Sequence, residues 1–116
     1  MSETMRFGDW LRPALPLLLL RFLAREPSHG YGLVEQLRAA GIEARGTTVY
    51  PHLTKLHEAG YLDSTWHTPE AGPARKILTL TAAGHRHREE LEHQWRQVRE
   101  VLSSAHADTI ERTAAP

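Results

Sequence analysis

The side chains best suited to bind another molecule lie between residues 47 and 55. Thr47, Thr48, Tyr50 and His52 carry hydrogen-bonding groups, and Lys55 adds a positive charge. If these residues open a helix, its unpaired amides and its dipole also favour a phosphate at that end. Hydrogen-bond donors and cations are the groups that proteins use to contact DNA. The same spacing also suits an ordinary solvated helix with Tyr50 in the core.

A second basic group, Arg75 and Lys76, follows a segment at 68–74 that contains two prolines and a glycine. Long cationic side chains beside a flexible loop can reach a groove or the phosphates of a duplex. Two adjacent bases at the start of a strand are also commonly just solvated. Between Arg45 and Thr81 there are four basic and three acidic residues, so the local charge excess is small. The pattern favours DNA without requiring it.

A repeating apolar pattern near the C-terminus predicts self-association. Leu91, Trp95, Val98 and Leu102 are separated by 4, 3 and 4 residues, the spacing of a two-heptad seam. A helix over 82–105 would be ~36 Å long, too long for the rest of the chain to cover. Because an exposed apolar seam is a liability for a monomer, we expect a twofold homodimer through these residues. A large aromatic such as Trp95 is ordinarily interface filler there, with a ligand contact as the alternative.

Other kinds of chemistry find little support in the sequence. The chain has no cysteine, which excludes disulfides, thiolate nucleophiles and cysteine-based zinc sites. Its eight histidines form no metal motif with a nearby carboxylate, so we expect no metal and no cofactor. His29 is expected to hydrogen-bond locally. Without a nucleophile elbow, a phosphate loop or paired catalytic carboxylates, an enzyme is not expected.

The composition is that of one globular domain with an accessory element. The 116 residues are 41% hydrophobic and 24% charged, and 14 basic residues balance 14 acidic ones. A zero net charge creates no general attraction to a polyanion, so DNA binding would depend on the local distribution of charge. The apolar run from Leu17 to Leu20 is interrupted by Arg21 and is too short to span a bilayer. We expect a cytoplasmic protein without membrane contact.

Apolar periodicity predicts four helices and one hairpin. Helices are expected at about 10–25, 28–40, 47–60 and 82–105, with Ser28 and Thr81 as N-caps and Gly41 closing the second helix. Residues 61–67 and 75–81 are strand-like. The order predicts a mainly α fold with a small β-hairpin, a winged helix-turn-helix plus a long dimerisation helix. The expected divisions are an N-terminal extension at 1–9, the winged domain at 10–81, the dimerisation helix at 82–105 and a flexible tail at 106–116.

The expected core lies on the inner faces of the first three helices. Its predicted members are Leu11, Leu15, Leu18, Leu19, Phe22, Leu23, Leu33, Leu37, Val49, Leu53 and Leu56. The opposite side of the third helix is expected to face solvent at Thr48, His52, Lys55 and Ala59.

Five motifs occur in a specific order and spacing over roughly residues 11–102. They are His29-Gly30-Tyr31-Gly32, Thr48-Val49-Tyr50-Pro51-His52-Leu53, the run Leu53-Thr54-Lys55-Leu56-His57-Glu58-Ala59-Gly60-Tyr61-Leu62, Gly72-Pro73-Ala74-Arg75-Lys76, and Leu80-Thr81-Ala82-Ala83-Gly84. Each motif is weak alone. Together they resemble the PadR family of bacterial winged-helix repressors, in its compact subset with one C-terminal helix.

The resemblance implies a homodimeric repressor that binds a palindromic operator in double-stranded DNA and leaves it when a small effector binds. Thr48, Tyr50 and Lys55 would face DNA from the third helix, and Arg75 and Lys76 from the wing. The sequence departs from the family pattern at the start of the third helix and after the wing bases. Thr47 stands where the family often has glycine, and Ile77 and Leu78 replace the usual aromatic residues after the wing bases.

Trp95 falls where multidrug-responsive members of the compact subset place a tryptophan that stacks on planar compounds at the dimer centre. The resemblance therefore implies a small aromatic effector on Trp95, with Arg99 beside it. Because Arg96 and Arg99 replace acids, we expect a neutral or carboxylate-bearing compound to be preferred over a cation. Two alternatives stay open: a winged-helix module that binds proteins, and a small-molecule sensor without DNA binding.

Overall fold

The computed structural model describes residues 4–6 and 8–114, with side chains described as far as residue 106. The elements are α1 Leu15–Arg25, β1 Ser28–His29, α2 Gly30–Ala39, α3 Gly46–Glu58, β2 Leu62–His67, β3 Arg75–Leu80 and α4 Ala82–Ala114. The strands form an antiparallel sheet in the order β1-β3-β2. This architecture confirms the predicted mainly α winged fold and adds one short strand to the hairpin.

The first helix begins later than the apolar pattern predicted. Residues 8–14 form bends and turns, and regular α-helix starts at Leu15. Pro13 and Pro16 explain the difference, because proline removes an amide donor and restricts the residue before it. The expected start near Trp10 is therefore wrong.

The capping residue of α2 also differs from the prediction. Ser28 lies in β1, where it pairs with Leu78 of β3, while His29 pairs with Ile77. His29 is the N-cap, since Gly32 N–H donates to its Nδ1 at 3.0 Å. This bond agrees with the expectation that His29 hydrogen-bonds locally. Two residues carry no readable periodicity, which is why β1 was not predicted.

The core lies between the first three helices and the inner face of the sheet. Its buried side chains are Leu15, Leu19, Leu20, Leu23, Leu33, Val34, Leu37, Ile42, Ala44, Val49, Leu53, Leu56, Leu62 and Leu78. Leu11, Leu18 and Phe22 were expected in this core but pack only at its edge, whereas Leu20 is fully buried without having been predicted. The predicted inner face of α3 is confirmed, so its outer face is free for contacts.

The turn between α2 and α3 is braced from two sides. Gly41 adopts a φ of 85°, which favours glycine, and Arg38 Nε donates to the Ala44 carbonyl at 2.9 Å. Met5 N–H donates to the Gly41 carbonyl at 2.6 Å, and Glu43 N–H donates to the Met5 carbonyl at 2.7 Å. The N-terminal segment thus supports the turn that sets the direction of α3.

The start of α4 is anchored where β3 ends. Thr81 is its N-cap as predicted, because Thr81 Oγ1 accepts from Gly84 N–H at 3.0 Å and donates to the Gly60 carbonyl at 2.7 Å. A Cβ on Gly84 would lie 2.1 Å from the Tyr61 carbonyl oxygen, so this close approach requires glycine. The rings of Tyr61 and His87 stack with centroids 4.1 Å apart. These contacts join α4 to the junction between α3 and β2.

Beyond this anchor, α4 continues past its expected end. It is helical as far as Ala114, whereas the sequence predicted an end near Ala105 and a tail from residue 106. The molecule measures 71 × 35 × 21 Å and has a radius of gyration of 17.8 Å. A compact domain of this length would have a radius of gyration of about 13 Å. The long helix therefore projects from the winged body, which is the part of the molecule formed by α1 to α3 and the three strands.

Parts of two predicted segments lie outside the described residues. These are residues 1–3 and 7 of the expected N-terminal extension, and residues 115 and 116 of the expected tail. The division of the chain into domains stays a prediction. Among the helices that the structure describes, none combines the length and hydropathy needed to cross a membrane.

Candidate nucleic-acid interface

The outer face of α3 is centred one residue away from the face that the sequence predicted. Thr47, Pro51, Thr54 and Glu58 are all exposed and follow one another at intervals of about one turn. The Thr54 hydroxyl donates to the Tyr50 carbonyl at 3.1 Å, so it is held close to the helix surface. Thr54 was not singled out from the sequence, although its spacing from Thr47 could have indicated it.

One flank of α3 carries three of the predicted contact residues. Lys55 is exposed, whereas Thr48 and His52 are half-buried and so less open to solvent than Lys55. Burial lowers the pKa of His52 from its ordinary value, and the positive charges of Lys55 and Arg12 lower it further. Arg12 is itself exposed, and its charge adds to the positive potential at this flank. Sequence reasoning missed Arg12 because it precedes the periodic part of α1.

Tyr50 lies on the other flank and does not belong to the core. Its side chain is 46% exposed. A Cβ on Gly30 would lie 2.4 Å from Tyr50 Cε1, and a Cβ on Gly46 would lie 2.7 Å from Tyr50 Cε2. The two glycines thus leave room for the ring between the starts of α2 and α3. The alternative that buries Tyr50 is wrong, and its ring is held where a molecule docked on α3 would meet it.

A shallow cleft of about 280 Å³ separates this flank of α3 from the wing. Its lining residues are Gly30, Tyr50, Leu53, Thr54, His57, Glu58, Lys76 and Leu78. Lys76 is the basic residue that β3 contributes to the lining. In the part of the chain that the structure describes, no group of three His, Asp or Glu side chains could hold a metal ion.

Arg75 and Lys76 point to opposite faces of the hairpin, because neighbouring residues in a strand alternate. Lys76 pairs with Trp66 across the strands and shares a face with the buried Leu78. Arg75 lies on the other face, where its Nη1 is 2.9 Å from His29 Nε2. The sequence grouped the two bases together, whereas the structure separates them into different surroundings.

Arg75 and the start of α2 compete for His29. A neutral imidazole has one protonated nitrogen and one accepting nitrogen, and a guanidinium can only donate. His29 therefore cannot accept from Gly32 N–H through Nδ1 and from Arg75 through Nε2 at the same time. When His29 caps α2, its Nε2 carries the proton and Arg75 is available to another acceptor.

The comparison with known families decides what kind of protein carries this interface. Residues 19–90 match the model of the "Transcriptional regulator PadR-like family". The chain belongs to the PadR-like family. This membership confirms the resemblance inferred from the five motifs, and it places the chain in a family of transcriptional regulators.

Solved structures of transcriptional regulators, including PadR proteins, are similar over most of the chain. A PadR family transcriptional regulator from Eggerthella lenta is 34% identical, with a TM-score of 0.74 over 83% of this chain and 85% of that one. A PadR-like transcription factor from Bacteroides fragilis is 27% identical, with a TM-score of 0.73 over 84% and 94%. A Streptococcus transcriptional regulator is 25% identical, with a TM-score of 0.77 over 86% and 99%. None of the curated proteins matches the chain.

The predicted PadR dimer seam divides into two parts on α4. Leu91 is half-buried and packs on the core of its own chain. Trp95, Val98 and Leu102 are 44%, 49% and 52% exposed, and every side chain described from 93 to 106 is exposed. Arg99, one turn after Trp95, is exposed with them. The outer seam is therefore apolar and open.

One ion pair marks the boundary between the two parts of the seam. Arg21 of α1 forms a two-pronged pair with Glu92, in which Arg21 Nη2 donates to Glu92 Oε2 at 2.6 Å. The guanidinium holds the pKa of Glu92 below its ordinary value, and Glu92 raises the pKa of Arg21. This pair ties the inner part of α4 to the winged body.

Proposed function

We propose that this PadR-like chain is a dimeric repressor that binds double-stranded DNA in a sequence-specific manner. The observation that carries the proposal is the open outer face of α3, at Thr47 and Thr54, which lies beside the cleft lined by Lys76. In helix-turn-helix proteins, the second helix enters the major groove with its N-terminal residues nearest the bases. Thr47, Thr48 and Tyr50 would contact bases or phosphates there.

The basic residues around α3 would supply the contacts to the DNA backbone. Lys55 and His52 lie on one flank of the helix and Lys76 on the wing side. Arg75, which is available to another acceptor while His29 caps α2, would add a contact from the tip of the wing. Because the proposed partner is genomic DNA, we expect the protein to work in the cytoplasm.

Fluorescence anisotropy against the DNA upstream of the protein's own gene tests this function. We expect binding that resists a scrambled competitor and weakens steeply as salt rises, because released counterions dominate the affinity. If no duplex binds, including duplexes selected from a random library, the DNA function is wrong. A protein-interaction module or a DNA-independent sensor would then remain.

The homodimer is proposed through the outer seam of α4. Trp95, Val98 and Leu102 are partly exposed on a helix that projects beyond the winged body. A twofold pairing of two such seams would bury these side chains and would present two copies of α3 to a palindromic operator. Repression follows in this proposal because a bound dimer excludes other proteins from the operator.

A small planar aromatic effector is proposed to bind at Trp95. The indole is 44% exposed, and Arg96 and Arg99 are exposed in the turn that follows. An aromatic face next to positive charges favours a neutral or carboxylate-bearing compound over a cation. Titration of tryptophan fluorescence with a matched cationic and anionic pair of planar compounds tests this preference, with Trp95→Phe as the control. Tighter binding of the cation would contradict it.

A further inference from the structure

The two faces of the wing carry different side chains. The strands β2 and β3 pair in register from Leu62 and Leu80 at the body to His67 and Arg75 at the tip. Because side chains alternate along each strand, one face collects the even-numbered residues. These are Leu62, Ser64, Trp66, Lys76, Leu78 and Leu80. The acidic residue of the two strands, Asp63, lies on the opposite face together with Arg75.

Exposure rises steeply along the even-numbered face from the body to the tip. Leu62 and Leu78 are 2% and 7% exposed, whereas Trp66 is 70% exposed. The face that packs on the core therefore continues outward as an uncovered aromatic side chain. Isolated exposed apolar residues are common and carry no meaning alone. The surroundings of Trp66 decide its role.

Those surroundings join Trp66 to the surface proposed to bind DNA. Its cross-strand partner is Lys76, which also lines the cleft beside Tyr50 and Thr54 of α3. A duplex docked on the outer face of α3 would extend past this cleft toward the same face of the wing. An indole suits such a neighbour, because its ring packs on the apolar atoms of deoxyribose and its Nε1–H can donate to a phosphate oxygen.

We propose that Trp66 is a DNA-contacting residue, which packs on the sugar-phosphate backbone flanking the site read by α3, next to a phosphate contact from Lys76. This assignment rests on the proposed DNA function and extends it to an apolar contact on the wing. Trp66 adds affinity through the burial of its ring, without a charge of its own. Trp66 and Lys76 together would place the even-numbered face of the hairpin toward the duplex.

The test uses the full chain and a labelled duplex recovered from a random library by selection on the protein. Trp66→Ala is expected to bind this duplex about tenfold more weakly, and Trp66→Phe within about threefold of the parent. Thr65→Ala is the matched control, because Thr65 is an exposed neighbour on the opposite face of the same strand. Since Trp66 is exposed, the thermal unfolding midpoint should not change in any of these variants.

Two further measurements separate an apolar wing contact from other causes. The logarithm of the binding constant is plotted against the logarithm of the salt concentration. The steepness of this plot should be unchanged in Trp66→Ala and should fall by about one in Lys76→Ala, because only lysine releases a counterion from the DNA. The selected duplex is then shortened by removing the DNA that flanks the site. On the shortened duplex, the parent and Trp66→Ala should bind equally.

The outcomes distinguish failure of this assignment from failure of the DNA function. If the parent binds the selected duplex and Trp66→Ala binds it equally well, the role of Trp66 is overturned while the DNA function stands. An equal loss in Thr65→Ala, or a loss that persists on the shortened duplex, also overturns it. If the parent binds no selected duplex, both proposals fail.

Discussion

The winged body and the outer half of α4 carry equally regular apolar patterns, but they differ in how far these side chains are buried. In the body, Leu19, Leu33 and Val49 are fully buried by neighbouring elements of the same chain. Beyond Glu92 on α4, Val98 and Leu102 remain 49% and 52% exposed. Periodicity indicates that a helix face is apolar, but it does not say what covers that face. The body therefore covers its own apolar side chains, whereas the chain itself leaves the outer seam exposed.

The largest expected effect comes from a cavity in the body. Leu33→Ala should lower the free energy of unfolding by about 3 kcal/mol, because Leu33 is 0% exposed and its neighbours cannot fully collapse around the smaller side chain. Denaturant unfolding at one fixed protein concentration measures this change. Val101→Ala on α4, where the side chain is 68% exposed, is the control and should shift the free energy by less than about 0.5 kcal/mol. Equal effects would remove the contrast between the two regions.

A charge in the outer seam tests whether a second chain covers it. Trp95→Asp should leave a folded but largely monomeric protein that binds DNA about a hundredfold more weakly, because the two binding domains no longer act together. The mass in solution and DNA anisotropy measure the two consequences. Gln97→Asp adds the same charge to another exposed position of α4, at a different spacing, and should remain dimeric. A dimeric Trp95→Asp would show that the seam is not the interface.

The Arg21–Glu92 ion pair at the junction between the two regions should contribute less to the free energy of unfolding. Glu92→Gln is expected to cost about 1 kcal/mol of unfolding free energy, a modest value because the Arg21 side chain is 44% exposed. The pKa of Glu92 is lowered in the fold, so its contribution is complete above the ordinary carboxyl pKa and is lost as the pH falls through the lowered value. Parent and variant should therefore differ near neutral pH and converge in acid.

Glu89→Gln is the control for this ion pair. Glu89 is exposed on the same helix and on a neighbouring turn, so its neutralisation should change little at either pH. A pH-independent gap between the parent and Glu92→Gln would mean that the Arg21 pair does not stabilise the junction.

The smallest effect concerns His52 on the cationic flank of α3. Its pKa is lowered in the fold by burial and by the charges of Lys55 and Arg12, so the unfolded chain binds more protons. With respect to this group, the folded state is most stable above the ordinary histidine pKa, where the imidazole is neutral. Its stability declines as the pH falls through that value toward the lowered pKa. His52→Gln should flatten the pH dependence of unfolding between about pH 7.5 and pH 5.5. A parent curve no steeper than that of the variant would contradict the shift.

DNA binding provides a second measurement at His52. If His52 approaches a phosphate, the bound complex favours the protonated imidazole, and affinity should rise as the pH falls over the same range. That rise should be absent from His52→Gln. A parent whose affinity has the same pH dependence as the variant would place DNA away from this flank.

Much of the fold was readable from local pattern. The inner face of α3, the Thr81 cap, the positions of β2 and β3 and the family motifs all depend on residues close together in the chain. The errors occurred where local rules compete or signals are short. Two prolines place the start of α1 at Leu15, and His29 rather than Ser28 caps α2. The strand β1 has only two residues, too few to show a pattern in the sequence.

The candidate site was less predictable, because its members come from distant parts of the chain. Residue types and spacing suggested Thr47, Tyr50 and Lys55 from the start, and these lie on or beside the open face of α3. The pairing of Trp66 with Lys76, the effect of the Arg12 charge on His52 and the position of Arg75 beside His29 required the packed structure. Contacts between residues far apart in sequence leave no periodic signal.

The sequence by itself determined which helix faces are apolar, where turns occur and which family the motifs resemble, since backbone propensity and hydrophobic spacing are local properties. Only the tertiary structure decided which apolar face is covered and which polar groups share a surface. Strand alternation sends Arg75 and Lys76 to opposite faces, and the length of α4 carries Trp95 away from the core. Burial and charge proximity depend on distances in space, which packing sets.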